Sequence, residues 1–430
     1  MKKLIVFSAD AMVTEDLELL KTLPNYKKYL EGGCRIDRVR SVYPTITYPC
    51  HTTMITGVYP DKHGVSGNYM FMPGTSPLPW KWDRSNNLWK EDIFTAAKAA
   101  GYSTAAVFWP VTGNHPAIDC LIDEYWTQSP DDTPRDAFRR MGSNEAMLDI
   151  MEKHIGDNRL MPKHPEIEHF IIDCACDIIR QYKPDILFLH PANIDHYRHV
   201  SGLFGPMIDE GVRETDRWIG DIMSAVEDAG MLADTNFVLT SDHGQMDIKR
   251  AVNLNILLAD AGLVTVNADG TLADWQAWCL SGGMSVLVHL KDPDNKEIYD
   301  KTYKLLCHLR DEGVYGVSRV LTAAEAEQHH LKGDFSFVLE TDDYTAFADE
   351  YVRPLVHNFD SSDYRTGRAT HGYLPEKGPQ PVFLAKGPDF AENVVLGDGR
   401  LIDQAPTYAK LLGVELPHAQ GRAIEEFFRK

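Results

Sequence analysis

The 430-residue sequence is poor in the features that mark several whole classes of protein. It has seven cysteines, at 34, 50, 120, 174, 176, 279 and 307, an odd number with no C-x-x-C pair. That pattern excludes a disulfide framework and reads as reduced thiols in a cytoplasmic protein. No apolar run comes near the ~18 residues that a membrane-spanning helix needs. The first apolar run, Leu4-Ile5-Val6-Phe7, is shorter than the roughly 7–15 residues of a signal-peptide core and ends in Ser8-Ala9-Asp10, so it reads as a strand. Positive charge is scarce: 43 Lys and Arg against 63 Asp and Glu leave a formal charge of −20. A field of that sign repels phosphate backbones and anionic lipid, which excludes long nucleic acid and membrane as partners. A small phosphorylated substrate is still compatible if bound cations reverse the sign locally. Internal repeats and low-complexity tracts are also missing. What remains, 43% hydrophobic and 25% charged, is a globular chain able to bury a large core.

Short runs rich in Val, Ile, Leu and Phe alternate with helical patterns. Leu4–Phe7, Thr104–Phe108, Ile186–Leu189, Phe237–Thr240 and Val382–Leu384 predict strands, and their continuous apolarity suits strands covered on both faces. Ile208, Val212, Thr215, Ile219, Met223 and Val226 recur at helical spacing, and Glu91–Ala100 forms another helix stopped by Gly101. This rhythm predicts an α/β fold with a doubly wound, mostly parallel sheet, its functional residues just beyond strand C-termini. Two stretches break the rhythm. Residues 112–180 show no strand pattern and are expected to decorate the site side of the sheet. Residues 266–350 read as a small inserted α+β subdomain, with strand Ser285–Leu290, helix Lys296–Arg310 and strands near Val317–Leu321 and Phe335–Glu340. The expected catalytic domain is therefore 1–265 together with 351–430.

Several strand ends finish in metal-type ligands. Asp10 follows the first strand, Asp195 and His199 follow Ile186–Leu189, and Asp242-His243-Gly244 follows Phe237–Thr240, while His371-Gly372 precedes the last strand. Each residue alone is more often a cap or a satisfied polar group. Converging on one sheet edge, three Asp and three His form a constellation suited to two divalent ions. Nitrogen and oxygen donors without thiolate favour zinc, with manganese and iron as the other choices. Asp195 and His199 are four positions apart, so one helical turn presents both to one ion. Asp242 and His243 are adjacent and need a sharp turn, for which Gly244 supplies conformational freedom. In Pro44-Thr45-Ile46-Thr47-Tyr48-Pro49-Cys50-His51 a short helix begins near Thr47. Thr47 is either its N-cap or a nucleophile whose hydroxyl a metal ion makes ionisable.

Together these residues resemble the nucleotide pyrophosphatase/phosphodiesterase branch (type I phosphodiesterases) of the alkaline phosphatase superfamily. The motifs that carry the resemblance are Asp10, Pro44 to Pro49, Thr56-Gly57-Val58-Tyr59-Pro60 with His63-Gly64, Asn68, Trp109-Pro110, Asp195 with His199, Ser241 to Gly244, His371-Gly372-Tyr373 and Gly421-Arg422, in the family's order. The resemblance implies an alkaline phosphatase-like fold and two metal ions. One is held by Asp195, His199 and His371, the other by Asp10, Asp242, His243 and the Thr47 oxygen. It implies that Thr47 attacks phosphorus to give a phosphothreonine and that the Asn68 amide donates to a phosphoryl oxygen. Thr45 is the rival nucleophile, out of register with Tyr48-Pro49.

The chain departs from the family pattern at Cys50, where Asn is usual, at Ala11 and Arg198, where Gly is usual, and at Ile46, often Lys. Cys50 reads as a buried thiol. Arg198 either reaches a substrate phosphate or points into solvent. In the family an aromatic slot stacks a nucleobase. Of Tyr69, Phe71, Trp80, Trp82, Trp89 and Trp109, the pair Tyr69 and Phe71 are the candidates for substrate contact, and Trp109 is expected to pack at the sheet end. The leading reading is a two-metal phosphodiesterase or nucleotide pyrophosphatase. The alternative is a phosphonate or phosphate monoester hydrolase on the same metals. A phosphoglycerate mutase-like enzyme ranks low because that relative uses serine, and a silent binding protein is disfavoured by the complete ligand set.

Overall fold

The computed structural model describes residues 1–156 and 163–429. Its centre is an eight-stranded sheet in the order Val395–Arg400, Cys34–Arg40, Phe383–Lys386, Thr235–Thr240, Lys3–Ser8, Ile186–Leu189, Thr104–Val107, Cys120–Ile122. All neighbours pair in parallel except Phe383–Lys386, which runs antiparallel to both of its partners. The α/β doubly wound expectation therefore holds.

Alternation along the first strand shows how both faces are covered. Ile5 and Phe7 point into a core completed by the helices Glu166–Tyr182 and Pro206–Asp228. Leu4 and Val6 point into the opposite core, with the helices Thr47–Thr56, Ile93–Ala99 and Gln404–Leu412. A strand with apolar residues on both faces can only sit inside such a sandwich. Ile93–Ala99 is capped by the Asp92 carboxylate, which accepts from the Thr95 N–H at 2.8 Å.

Three main-sheet strands escape a search for continuous apolar runs. Cys34–Arg40 and Val395–Arg400 lie at or next to an edge and mix apolar with charged residues. Cys120–Ile122 is only three residues long. It corrects the reading of 112–180 as a stretch without strands.

A second, antiparallel sheet of four strands runs Ala277–Ser281, Ser285–Leu290, Phe337–Thr341, Val317–Thr322, with helix Lys296–Glu312 packed through Leu306 and Leu309. Its hydrophobic cluster also takes Val252, Leu254 and Phe347. Arg250–Asn253 pairs with both Thr345–Ala348 and Val356–His357. Among the described residues no helix is long and apolar enough to cross a membrane.

Candidate active site

The carboxyl ends of neighbouring strands bring the acidic and imidazole residues together. Asp10 follows Lys3–Ser8, His190 follows Ile186–Leu189, and Asp242-His243 follow Thr235–Thr240. Asp195 and His199 lie one turn apart on helix Asn193–Ser201, with His199 Nε2 3.1 Å from Asp195 Oδ2. His371 leaves the short strand Ala369–Thr370, which pairs with Met246–Asp247 just beyond His243.

Two overlapping donor sets result. The ligand atoms of Asp195, His199 and His371 lie within 4.8 Å of one another, and so do those of Asp10, Asp195 and His243. His243 Nε2 is also 3.2 Å from Asp242 Oδ2 and 3.2 Å from Thr47 Oγ1. All seven residues proposed as ligands from the sequence thus meet at one place, and Asp195 stands between the two sets. Supporting hydrogen bonds aim the rings. His199 Nδ1 donates to Ala369 O at 2.7 Å, leaving Nε2 for the cluster. His190 donates to Asp10 Oδ2 at 3.0 Å, and Gln245 donates to Asp195 Oδ1 at 2.5 Å. Gly244 is required for space rather than for its φ: a Cβ there would strike the Pro379 carbonyl.

The electrostatics point to missing positive charge. Burial, then the neighbouring Asp242 and Asp195 charges, pushes the Asp10 carboxyl well above the carboxylate range. Burial acts on Asp195 the same way, but the His199, His371 and His243 imidazoles outweigh it and hold that carboxyl low. Among the described residues Asp10 Oδ1, Asp242 Oδ2 and His199 Nε2 are buried with no hydrogen-bond partner; with its proton on Nδ1, His199 turns a lone pair toward Asp195 Oδ2 at 3.1 Å. Three crowded carboxylates and an orphaned imidazole nitrogen, all oxygen and nitrogen donors, fit divalent cations.

Thr47 is the first residue of helix Thr47–Thr56. Ile46 occupies the N-cap position without a side-chain cap, so the reading of Thr47 as a cap is corrected. The Thr45 hydroxyl is engaged elsewhere, donating to Tyr373 O at 2.9 Å and accepting from Gly372 N at 3.1 Å. Asn68 Oδ1 accepts from Tyr48 N at 2.9 Å. That fixes the carbonyl side of the amide and leaves its NH2 as the group available to the cavity containing Thr47.

Other sequence candidates lie differently. Arg198 is fully buried, away from solvent, and does not line the cavity over Thr47. It pairs with Asp16 at 2.5 Å and donates to the carbonyls of Ala11 and Leu203. Ala11, where the family has Gly, holds φ at 55°. Phe71 stacks on His289 in the smaller sheet, with centroids 3.8 Å apart. Tyr69 meets Trp80 edge-on and lies under Arg365. Cys50 is buried beside the Ser41 hydroxyl, and burial pushes its thiol well up. Trp109 packs against Phe188 and His51.

The cavity over Thr47 is walled by Trp80, Trp126 and Tyr364 and takes in Glu124, His164 and Glu168. Sequence reasoning missed Trp126, Tyr364 and these three polar residues. For Glu124 a signal existed: it stands just past the Cys120–Ile122 strand, at the same edge as Asp10. His190, directly after Leu189, was readable in the same way.

Comparison with known proteins identifies the family. The family model for type I phosphodiesterase/nucleotide pyrophosphatase matches residues 4–374. An ectonucleotide pyrophosphatase/phosphodiesterase of Caenorhabditis elegans is 24% identical over 425 residues, covering 96% of this chain and 47% of the relative. Ectonucleotide pyrophosphatase/phosphodiesterase family member 1 of Mus musculus is 26% identical over 270 residues, covering 61% of this chain and 26% of the relative. The chain thus spans about half, or about a quarter, of the length of these relatives. Murine ectonucleotide pyrophosphatase/phosphodiesterase 5 superposes with a TM-score of 0.69 at 18% identity over 100% of both chains, and the human protein with 0.70 at 19%, also over 100% of both. At that identity the likeness carries the fold. The murine protein has also been solved as an inactive threonine-to-alanine form in complex with AMP.

Proposed function

The chain belongs to the type I phosphodiesterase/nucleotide pyrophosphatase family, and from that membership we propose that it hydrolyses phosphodiester or pyrophosphate bonds of small nucleotide-type substrates through a phosphothreonine on Thr47. The observation that carries the reading is the Thr47 hydroxyl, uncommitted to capping, 3.2 Å from His243 Nε2 within the Asp and His cluster. Asp195, His199 and His371 would hold one divalent cation, and Asp10, Asp242, His243 and Thr47 the other, zinc being the metal we favour. Bound there, the cations supply charge neutralisation and make the threonine hydroxyl ionisable near neutral pH.

The Thr47 oxygen forms a bond to phosphorus as the bond to the leaving oxygen breaks, and the leaving group departs as an alcohol or phosphate. Water then cleaves the phosphothreonine, regenerating the hydroxyl and releasing the phosphomonoester. Asn68 donates its amide N–H to a phosphoryl oxygen and gains strength as charge develops there. Trp80, Trp126 and Tyr364 offer apolar faces to a base or similar ring. We place the protein in the cytoplasm on the strength of its seven unpaired cysteines.

The test compares bis(p-nitrophenyl) phosphate, a dinucleotide, p-nitrophenyl phosphate and a phosphonate on the zinc-loaded protein. Diesters should show the higher kcat/KM, since Arg198, a candidate partner for a monoester's extra charge, is committed to Asp16. A tenfold preference for monoesters, about 1.4 kcal/mol, would transfer the assignment to the monoesterase reading.

A further inference from the structure

A second cavity adjoins the first, sharing Asn68, Tyr364 and His371 with it and bounded also by Ile46, Ser66, Lys81 and Ser285. The two differ in charge. Glu124 and Glu168 line the aromatic cavity, whereas Lys81 and Arg365 line the second. Arg365 is already neutralised, bound to Asp363 at 2.8 Å and to Asp349, with its guanidinium 4.9 Å over the Tyr69 ring. Lys81 is not: among the described residues its ammonium makes no hydrogen bond or ion pair, and Asp334 acts on it only at longer range. Burial brings the ammonium down to about 8, against the opposing pull of Asp334. The imidazoles of His63 and His289 near it are pushed down by burial, to about 3 and about 4, so both rings are neutral. The Lys81 backbone is tied to the site, since its N–H donates to Asn68 O at 2.8 Å.

Lys81 is half-buried in the wall of the second cavity, so its ammonium is partly desolvated and, among the described residues, unpaired, and a ligand that brings negative charge into that cavity meets a free cation. Resting on the hydrolase reading above, we propose that Lys81 is a specificity-determining residue that binds a second anionic group, phosphate or carboxylate, on the side of the substrate away from the aromatic cavity. The favoured substrate is then polar-ended, with a ring system among Trp80, Trp126 and Tyr364, the scissile phosphoryl group at Thr47, and a further anion at Lys81.

Three substrates that share one nucleoside 5′-phosphoryl half test this on the zinc-loaded full chain: the nucleoside triphosphate, the p-carboxyphenyl ester and the p-nitrophenyl ester. In Lys81→Met, KM for the triphosphate should rise at least tenfold with kcat little changed, while both constants for the p-nitrophenyl ester stay within about twofold. A matching rise for the p-carboxyphenyl ester shows that carboxylate is also read, and a rise confined to that ester makes carboxylate the recognised group. Lys81→Arg should restore most of the loss. Equal losses on all three esters, or no change on either anionic one, overturn the proposal. Should the wild-type protein hydrolyse none of them, the hydrolase reading fails, and calorimetry with inorganic pyrophosphate decides Lys81 by itself. Binding at least tenfold weaker in Lys81→Met and recovered in Lys81→Arg upholds the anion site, and equal binding overturns it.

Discussion

Thr47 Oγ1 lies 3.2 Å from His243 Nε2, although 196 residues separate them in sequence. The contact joins the start of one helix to the end of the central strand Thr235–Thr240, and it sets what replacing the threonine should do.

In Thr47→Ala the hydroxyl is lost while Ile46 continues to serve as the N-cap residue, and alanine suits a helix. Stability should change by less than about 1 kcal/mol. Activity should fall about a thousandfold or more, roughly 4 kcal/mol in the transition state. Thr45→Ser keeps the hydroxyl that bridges Tyr373 O and Gly372 N and should retain most activity. Acid quench followed by peptide mapping should find phosphate on Thr47. Phosphate on Thr45, or on neither threonine during turnover, contradicts the mechanism.

Exhaustive chelation should abolish hydrolysis, and added zinc should restore it. Because cations offset the repulsion among Asp10, Asp195 and Asp242, the metal-free protein should also melt at a lower temperature. Full activity with metal absence verified by elemental analysis, or an unchanged melting temperature, would count against the two-ion site.

Arg198→Met leaves Asp16 buried without its partner, and burial already pushes that carboxyl up against the pull of Arg198. We expect a loss of about 3–5 kcal/mol by denaturant titration. The diester-to-monoester ratio should be unchanged. A tenfold shift in that ratio with stability intact would return Arg198 to the substrate.

Glu340, which is not among the proposed ligands, offers a pH test. Burial pushes its carboxyl up to about 7, despite Lys377 at 3.1 Å. The folded protein therefore holds a proton there that the unfolded chain releases near 4.5. This contribution is complete below pH 4.5 and lost as pH rises through 7. Glu340→Gln removes the dependence, so its stability relative to wild type should improve between pH 5 and pH 8 by about 1–3 kcal/mol. Equal differences at both pH values would show that Glu340 does not titrate in this way.

The local chemistry of the main elements was readable because it is written in neighbouring residues. Continuous apolar runs such as Ile186–Leu189 and Ser285–Leu290 became strands with those same bounds, since only burial on both faces tolerates such runs. Asp10, Asp195, Asp242, His243, His199 and His371 could be named from their places beside strand ends, because a parallel sheet gathers those ends on one edge. Cys34–Arg40 and Cys120–Ile122 were harder to read, one for its charged residues and the other for its length. With Cys120–Ile122 unread, the mark its end sets on Glu124 went unread as well.

What tertiary structure alone decided is which side chains meet. Sequence left Arg198 between phosphate and solvent. Folding chose a third outcome, because helix Asn193–Ser201 packs where Asp16 and the Ala11 and Leu203 carbonyls enclose the guanidinium. Thr47 changed from possible cap to uncommitted hydroxyl through the backbone at Ile46. Lys81 had no distinguishing mark among 43 basic residues. Its meaning comes from long-range packing, which seats Arg365 against two acids and, among the described residues, leaves the Lys81 ammonium without an ion pair. Periodicity and motif order depend on short-range geometry and survive in one dimension. Charge pairing depends on contacts between residues far apart in the chain, and those exist only once the chain has folded.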